Sequence, residues 1–184
     1  MPSGPGPIED ELIRNIAITI PPPVATFLLT SETSAEQIIA HHKRTFTNTI
    51  QLVDELQEKD YATIKDAIPA IKLVQVIHVI DECSVEEAIK ISAHVDAILL
   101  DSGNPKLAIK ELGGTGRVHD WKLSRKIKES ITIPLFLAGG LNATNVRQAI
   151  DEVDPYGVDV CSGVRTKGML DENKLETFFE AVKK

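Results

Sequence analysis

Ala97-Ile98-Leu99-Leu100-Asp101-Ser102 is an apolar run that ends on a carboxylate; beyond it come Gly113-Gly114-Thr115-Gly116 and His119-Asp120-Trp121. Two later segments have the same form. Leu137-Ala138-Gly139-Gly140-Leu141 closes one apolar run, and Val158-Asp159-Val160-Cys161-Ser162-Gly163-Val164 closes the next. Strands that are apolar on both faces read as buried parallel strands. When their C-terminal ends carry Gly, Ser and Asp, those ends make the kind of site in which a parallel α/β barrel holds a phosphorylated substrate.

Outward from this stretch the chain alternates. Ile8, Leu12, Ile13 and Ile16 recur at helical spacing over Ile8–Ile18, and Pro21-Pro22-Pro23 ends that helix. A strand over Val24–Leu29 follows, then a helix from Ser34 to about Arg44, with Gln37 completing a capping box. Strands are predicted at Thr49–Val53, Leu73–Val79, Ala97–Leu100, Ile133–Leu137 and Gly157–Val160. Helices are predicted at Asp60–Ile68, Ser84–His94 (with Glu87 in the capping-box position), Asp120–Glu129, Thr144–Val153 and Asp171–Val182. Six strands and seven helices in strict alternation predict an α/β fold with a parallel sheet, as one domain over residues 1–184. The chain opens on a helix that no strand precedes, an odd start for a closed barrel.

The 184 residues suffice for a real core but are few for an eight-stranded barrel, which typically takes about 250 residues. With 42% apolar and 26% charged residues, the composition is that of an ordinary globular protein. A net charge of −7 without a basic stripe argues against a nucleic-acid partner. Any anion site must therefore rest on local backbone N–H groups. Cys83 and Cys161 show no metal-ligand spacing and suit a reducing compartment. No apolar run approaches the length of a membrane span, and the Pro/Gly-rich start is not a signal peptide, so a cytoplasmic protein is expected.

Each candidate residue has a plainer reading beside the functional one. Gly139-Gly140 at a strand end lets a phosphate approach backbone N–H groups, with Asn142 or Thr144 capping the next helix; a tight turn alone would also need glycine. Ser162-Gly163 at the next strand end strengthens the phosphate reading, since the last two strand ends of such barrels usually hold it. Gly113–Gly116 is either a structural loop or a flap that donates N–H groups. Asp101 points into the barrel mouth, or else is a solvent-facing cap. Asp159, flanked by Val158 and Val160, is a buried charge needing a partner or a substrate contact. Asp54 is a further strand-end acid. His78 stands among apolar neighbours and reads as a satisfied core or mouth histidine, His41-His42 as solvated, and Cys161 as packing.

These blocks, in this order and spacing over Ala97–Leu175, resemble the phosphoribosylanthranilate isomerase family of tryptophan biosynthesis; Val24–Val79 resembles it more loosely. The resemblance implies a TIM (β/α)8-type barrel and an Amadori rearrangement without metal or organic cofactor. It implies a general acid at Asp101 and a substrate-orienting carboxylate at Asp159. It further implies substrate contacts at Gly114 and Gly116 and phosphate contacts at Gly139, Gly140, Ser162 and Gly163. The family's base is a cysteine in a Lys-Ile-Cys-type motif on its first strand, and no such motif precedes Ile8. An arginine expected after the second strand is missing, Gln51-Leu52-Val53-Asp54 stands where Gln-Leu-His-Gly is usual, and the loop Gly103–Leu112 is longer than usual. The expectation is thus a barrel shortened at its N-terminus to about six strands, lacking strand one, helix one and strand two.

Two functional expectations follow. One is an isomerase impaired by loss of the N-terminal base; the alternative is a non-catalytic phosphate-ligand-binding relative or a part-barrel completed by another chain. Two open strand edges predict a homodimer or other self-association. A third reading, another phosphosugar barrel enzyme, would need strand-end lysines or a metal-binding histidine pattern that the sequence does not show.

Overall fold

Six strands form one parallel sheet in the order in which they occur along the chain. They are β1 (Phe27–Thr30), β2 (Thr49–Leu52), β3 (Lys72–His78), β4 (Ala97–Asp101), β5 (Leu135–Leu137) and β6 (Gly157–Val158). The computed structural model describes residues 6–103 and 118–183. Helix α1 (Asp10–Ala17) precedes β1; α2 (Ala35–Thr45), α3 (Glu58–Ala67), α4 (Cys83–Ser92), α5 (Trp121–Ser130) and α6 (Val146–Val153) follow β1 to β5 in turn, and α7 (Glu172–Lys183) is last. After β6 come a 3-10 turn at Ser162–Val164 and a short antiparallel hairpin, β7 (Arg165–Thr166) and β8 (Met169–Leu170). The hairpin has no apolar alternation long enough to be read from sequence.

Sequential strand order distinguishes a rolled sheet from a doubly wound one, whose order reverses at a switch point. The alternation of side chains explains the two cores. Ile50, Leu52, Leu73, Ile77, Ile98, Leu100, Leu135 and Leu137 face outward and are sealed against Ile38, Ile64, Ala88, Ile127 and Ala149 of the helices. Each such burial stabilises by about 1.5–3 kcal/mol, and cutting Leu100 to Ala would cost about 2–5 kcal/mol. Val53, Val74, Val76, Ala97, Leu99 and Ala138, with Phe136 against them, form a second cluster on the inner face. The roll itself is seen in Phe27 of β1, which meets Phe136 of β5 edge-on with ring centroids 6.4 Å apart. In a flat sheet four strand spacings would hold those positions roughly 19 Å apart. The architecture is therefore the curled, barrel-type α/β sheet expected, with β1 and β6 as its two edges among the described residues.

Local signals mostly held. Ser34 caps α2 by accepting the Gln37 N–H, and Asp120 caps α5 by accepting the Lys122 N–H. Ser84 is different. Helix α4 starts one residue earlier, and the Ser84 hydroxyl instead donates to the His78 carbonyl (3.2 Å) and accepts the Ile80 N–H (3.1 Å). The loop after β3 needed those groups more than the helix did. His41 and His42, expected to be solvated, are half-buried: His41 Nε2 pairs with Asp10 at 3.0 Å, and His42 Nε2 meets the Thr47 carbonyl at 2.7 Å. The amphipathic α1 folds back on α2 and supplies that Asp10.

Candidate active site

The two ends of β4 carry acids in opposite states. At the N-terminal end Asp96 accepts the Leu73 N–H (2.9 Å) and pairs with Lys72 (3.2 Å) and Lys65 (3.6 Å). Burial opposes ionisation there, but these partners hold the carboxyl below its ordinary range. At the C-terminal end Asp101 is 7% exposed, and burial pushes its carboxyl up. The Ser102 N–H, at 2.8 Å, and the neighbouring His78 ring only partly offset that push. The first arrangement fastens strands; the second shifts a carboxyl towards its protonated form at the end of a strand, where barrel chemistry is done.

Register puts three chemical groups in one layer. His78 lies beside Asp101 across the β3–β4 ladder. The Ala138 N–H bonds the Leu100 carbonyl, and the Asp159 N–H bonds the Leu137 carbonyl at 2.8 Å, so the layer continues through Ala138 to Asp159. The small Ala138 leaves room between the two carboxylates. Asp159 is exposed in the mouth, with no cation beside it among the described residues. The walls of the mouth, then the Asp101 charge, push its carboxyl up, and water reaching it screens both effects.

The glycine loops stand on the same rim. Gly139 (φ +87°) and Gly140 (φ +66°) take left-handed conformations that suit glycine. A Cβ on Gly139 would also lie 2.9 Å from the Ser102 nitrogen, so turn geometry and close packing both require that glycine. The carbonyl of Gly140 accepts the amides of Asn142 (3.3 Å) and Asn145 (3.1 Å), while Asn142 Oδ1 accepts the Thr144 N–H (2.9 Å). Asn142 therefore braces the loop, and neither it nor Thr144 caps α6. A Cβ on Gly163 would overlap the Leu141 carbonyl, which presses the two loops together. Among the described residues the N–H groups of Gly139, Gly140, Ser162 and Gly163 find no backbone acceptor. Free N–H groups on glycine loops at neighbouring strand ends are the kind of donor an anion can use. Gly114 and Gly116 lie outside the described residues.

Sequence reasoning took His78 for a satisfied histidine. It is 8% exposed, and among the described residues both ring nitrogens lack a hydrogen-bond partner. Strand parity was the available signal, since His78 continues the inward row of Val74 and Val76. No three His, Cys, Asp or Glu converge to hold a metal ion among the described residues, and no described helix is long and apolar enough to cross a membrane. A groove of about 600 Å³ runs along β1 between Ile13, Ile16, Phe27 and Leu29. It is apolar, and Asp101 and Asp159 do not line it.

Comparison with known proteins agrees with this geometry. Residues 23–181 match the family model described as N-(5'phosphoribosyl)anthranilate (PRA) isomerase. N-(5'-phosphoribosyl)anthranilate isomerase 2 of Methanosarcina mazei is 34% identical over 177 residues, covering 96% of this chain and 77% of that protein. The crystal structure of the Thermotoga maritima phosphoribosyl anthranilate isomerase superposes with a TM-score of 0.82 at 30% identity, covering 99% of this chain and 84% of that one. A phosphoribosyl anthranilate isomerase in complex with reduced 1-(o-carboxyphenylamino)-1-deoxyribulose 5-phosphate superposes with a TM-score of 0.79 at 28% identity, covering 99% and 83%. By sequence and by fold, this chain belongs to the N-(5'-phosphoribosyl)anthranilate isomerase family.

Proposed function

We propose that the site is built for the chemistry for which its family is named: the ribose of N-(5'-phosphoribosyl)anthranilate opens and rearranges to the 1-deoxyribulose phosphate, without metal or organic cofactor. The phosphate sits on the N–H groups of Gly139, Gly140, Ser162 and Gly163, and Asp159 orients the sugar, with Gly114 and Gly116 as further substrate contacts. Asp101 is the general acid. Its O–H protonates the ring oxygen as the C1–O bond breaks, and the amine lone pair forms a C1=N bond. A base then removes the C2 proton, the role that the resemblance gives to a cysteine with no match in this sequence. The C2–H electron pair goes into C1=C2 and the C1=N pair back to nitrogen, and tautomerisation leaves the ketone at C2. The observation that carries this reading is the buried Asp101, its carboxyl pushed up by burial, on the same rim as the free N–H groups of the glycine loops.

Consumption of the fluorescent substrate by this chain, alongside calorimetry with the phosphorylated product, tests it. Turnover that disappears in Asp101→Asn supports the reading; turnover indifferent to Asp101 sinks it. The second reading is phosphate-ligand binding without turnover, or a part-barrel completed by another chain, and the edges β1 and β6, which have no further strand beside them among the described residues, favour it. Product binding with no turnover in any variant would select it. The same edges, with Phe27 and Leu29 exposed beside β1, support self-association, which sedimentation at high micromolar concentration checks. We place the protein in the cytoplasm, in keeping with Cys83 and Cys161, which suit a reducing compartment.

A further inference from the structure

His78 is the described polar side chain whose surroundings least explain it. It ends β3 on the inner face, in register with Asp101 and two residues beyond Val76. Its backbone is held on both sides of the loop: the Ser84 hydroxyl donates to its carbonyl, and the Val79 N–H bonds the Asp101 carbonyl at 3.0 Å. The ring is thus fixed in place, yet neither nitrogen makes a hydrogen bond among the described residues. The Val53 carbonyl lies close enough to favour a protonated ring but not in bonding geometry. An imidazole kept from water without a partner costs free energy that a core residue of similar size would not.

The groups around it decide what it can do. Asp101 faces it from β4, and Asp54 acts on it from the loop after β2. Burial outweighs those two carboxylates and keeps the ring below its usual value, so near neutrality it holds one N–H donor and one lone pair. That pairing matches a sugar hydroxyl, which both accepts and donates.

We infer that His78 is a further substrate-contacting residue of this site, its ring nitrogens hydrogen-bonding a hydroxyl of the phosphosugar beside the atom that Asp101 protonates. The inference rests on the isomerase-type site proposed above. Bound substrate satisfies the ring, and the oriented hydroxyl holds the sugar so that its ring oxygen meets the Asp101 proton. In this role the imidazole keeps its proton throughout.

The test uses the whole chain and reduced 1-(o-carboxyphenylamino)-1-deoxyribulose 5-phosphate as the probe. Nitrogen NMR of the histidine rings follows His78 as the probe is added, and calorimetry measures affinity for wild type, His78→Phe, His78→Gln and Asp101→Asn. We expect the His78 ring nitrogens to shift on saturation. Affinity should fall about tenfold in His78→Phe and recover in part in His78→Gln, because a buried group left unpaired costs about that much. Wild-type affinity in His78→Phe together with unmoved ring resonances overturns the inference while leaving the site reading intact. No binding of the probe by wild type overturns both. Should His78→Phe fail to fold, the ring resonances of the wild-type chain decide alone.

Discussion

The Tyr61 hydroxyl donates to the side-chain oxygen of Gln75 at 2.8 Å, between the sheet and its helices, with both residues almost wholly shielded from water. The Gln75 amide in turn donates to the carbonyls of Leu52 (3.2 Å), Asp54 (3.1 Å) and Val76 (3.2 Å). This network ties the chain leaving β2 to β3, below the rim where Asp54 and His78 lie. Tyr61→Phe leaves the Gln75 oxygen buried and unpaired, and urea unfolding should show a loss of about 1–3 kcal/mol. A midpoint unchanged from wild type would mean that water replaces the hydroxyl.

Alkali should expose the same residue. Burial, opposed by the Leu56 backbone, pushes the Tyr61 phenol up to about 12. The unfolded phenol ionises near 10, so this contribution is complete below pH 10 and is lost as pH rises towards 12. Stability measured across that window should decline in wild type and decline less in Tyr61→Phe.

Asp101→Asn should lower turnover by about 10² or more with little change in ground-state affinity, because an amide keeps the shape and loses the transferable proton. A variant keeping more than about a tenth of the rate would transfer the acid role elsewhere, with Asp159 the next candidate.

The anion cradle depends on space as well as on N–H groups. Gly163→Ala puts a methyl into the Leu141 carbonyl and must push the two loops apart. Binding of a phosphorylated ligand should weaken by about tenfold or more, before any effect on chemistry. Gly168→Ala is the control. Its φ of +82° imposes backbone strain of about 1 kcal/mol, which Gly163 does not carry, but nothing lies within 4 Å of the added carbon. It should lower stability slightly and leave binding alone; equal loss of binding in both variants would attribute the effect to general destabilisation rather than to the crowding of the two loops.

Acid should act through His119, whose ring burial holds down to about 4 against the pull of Asp120, with Nε2 2.7 Å from the Ser124 hydroxyl. The unfolded ring protonates near 6.5, so the folded state binds fewer protons below that value. Stability from this residue is complete above pH 6.5 and is lost as pH falls towards 4. Melting of wild type and His119→Gln between pH 7 and 4 should show the wild-type midpoint falling faster. Parallel curves would place the acid sensitivity in other groups.

Much of the architecture was legible because it follows from local periodicity. Runs such as Ile98–Leu100 and Leu135–Leu137, apolar on both faces, fit only a strand covered on both sides, and their alternation with capped helices admits few folds beyond a parallel α/β one. The sequence alone likewise placed Asp101, Asp159 and the glycine pairs at strand ends. Motif spacing carried the family. Tertiary structure decided what those residues face. The Phe27–Phe136 contact that rolls the sheet joins positions more than a hundred residues apart, and no local pattern encodes it. The state of Asp101 depends on burial by distant strands, and the unpaired ring of His78 on Ser84 fastening its carbonyl from the next helix. A side chain's type is written in the chain; its solvent, partners and charge arise only when remote segments close around it.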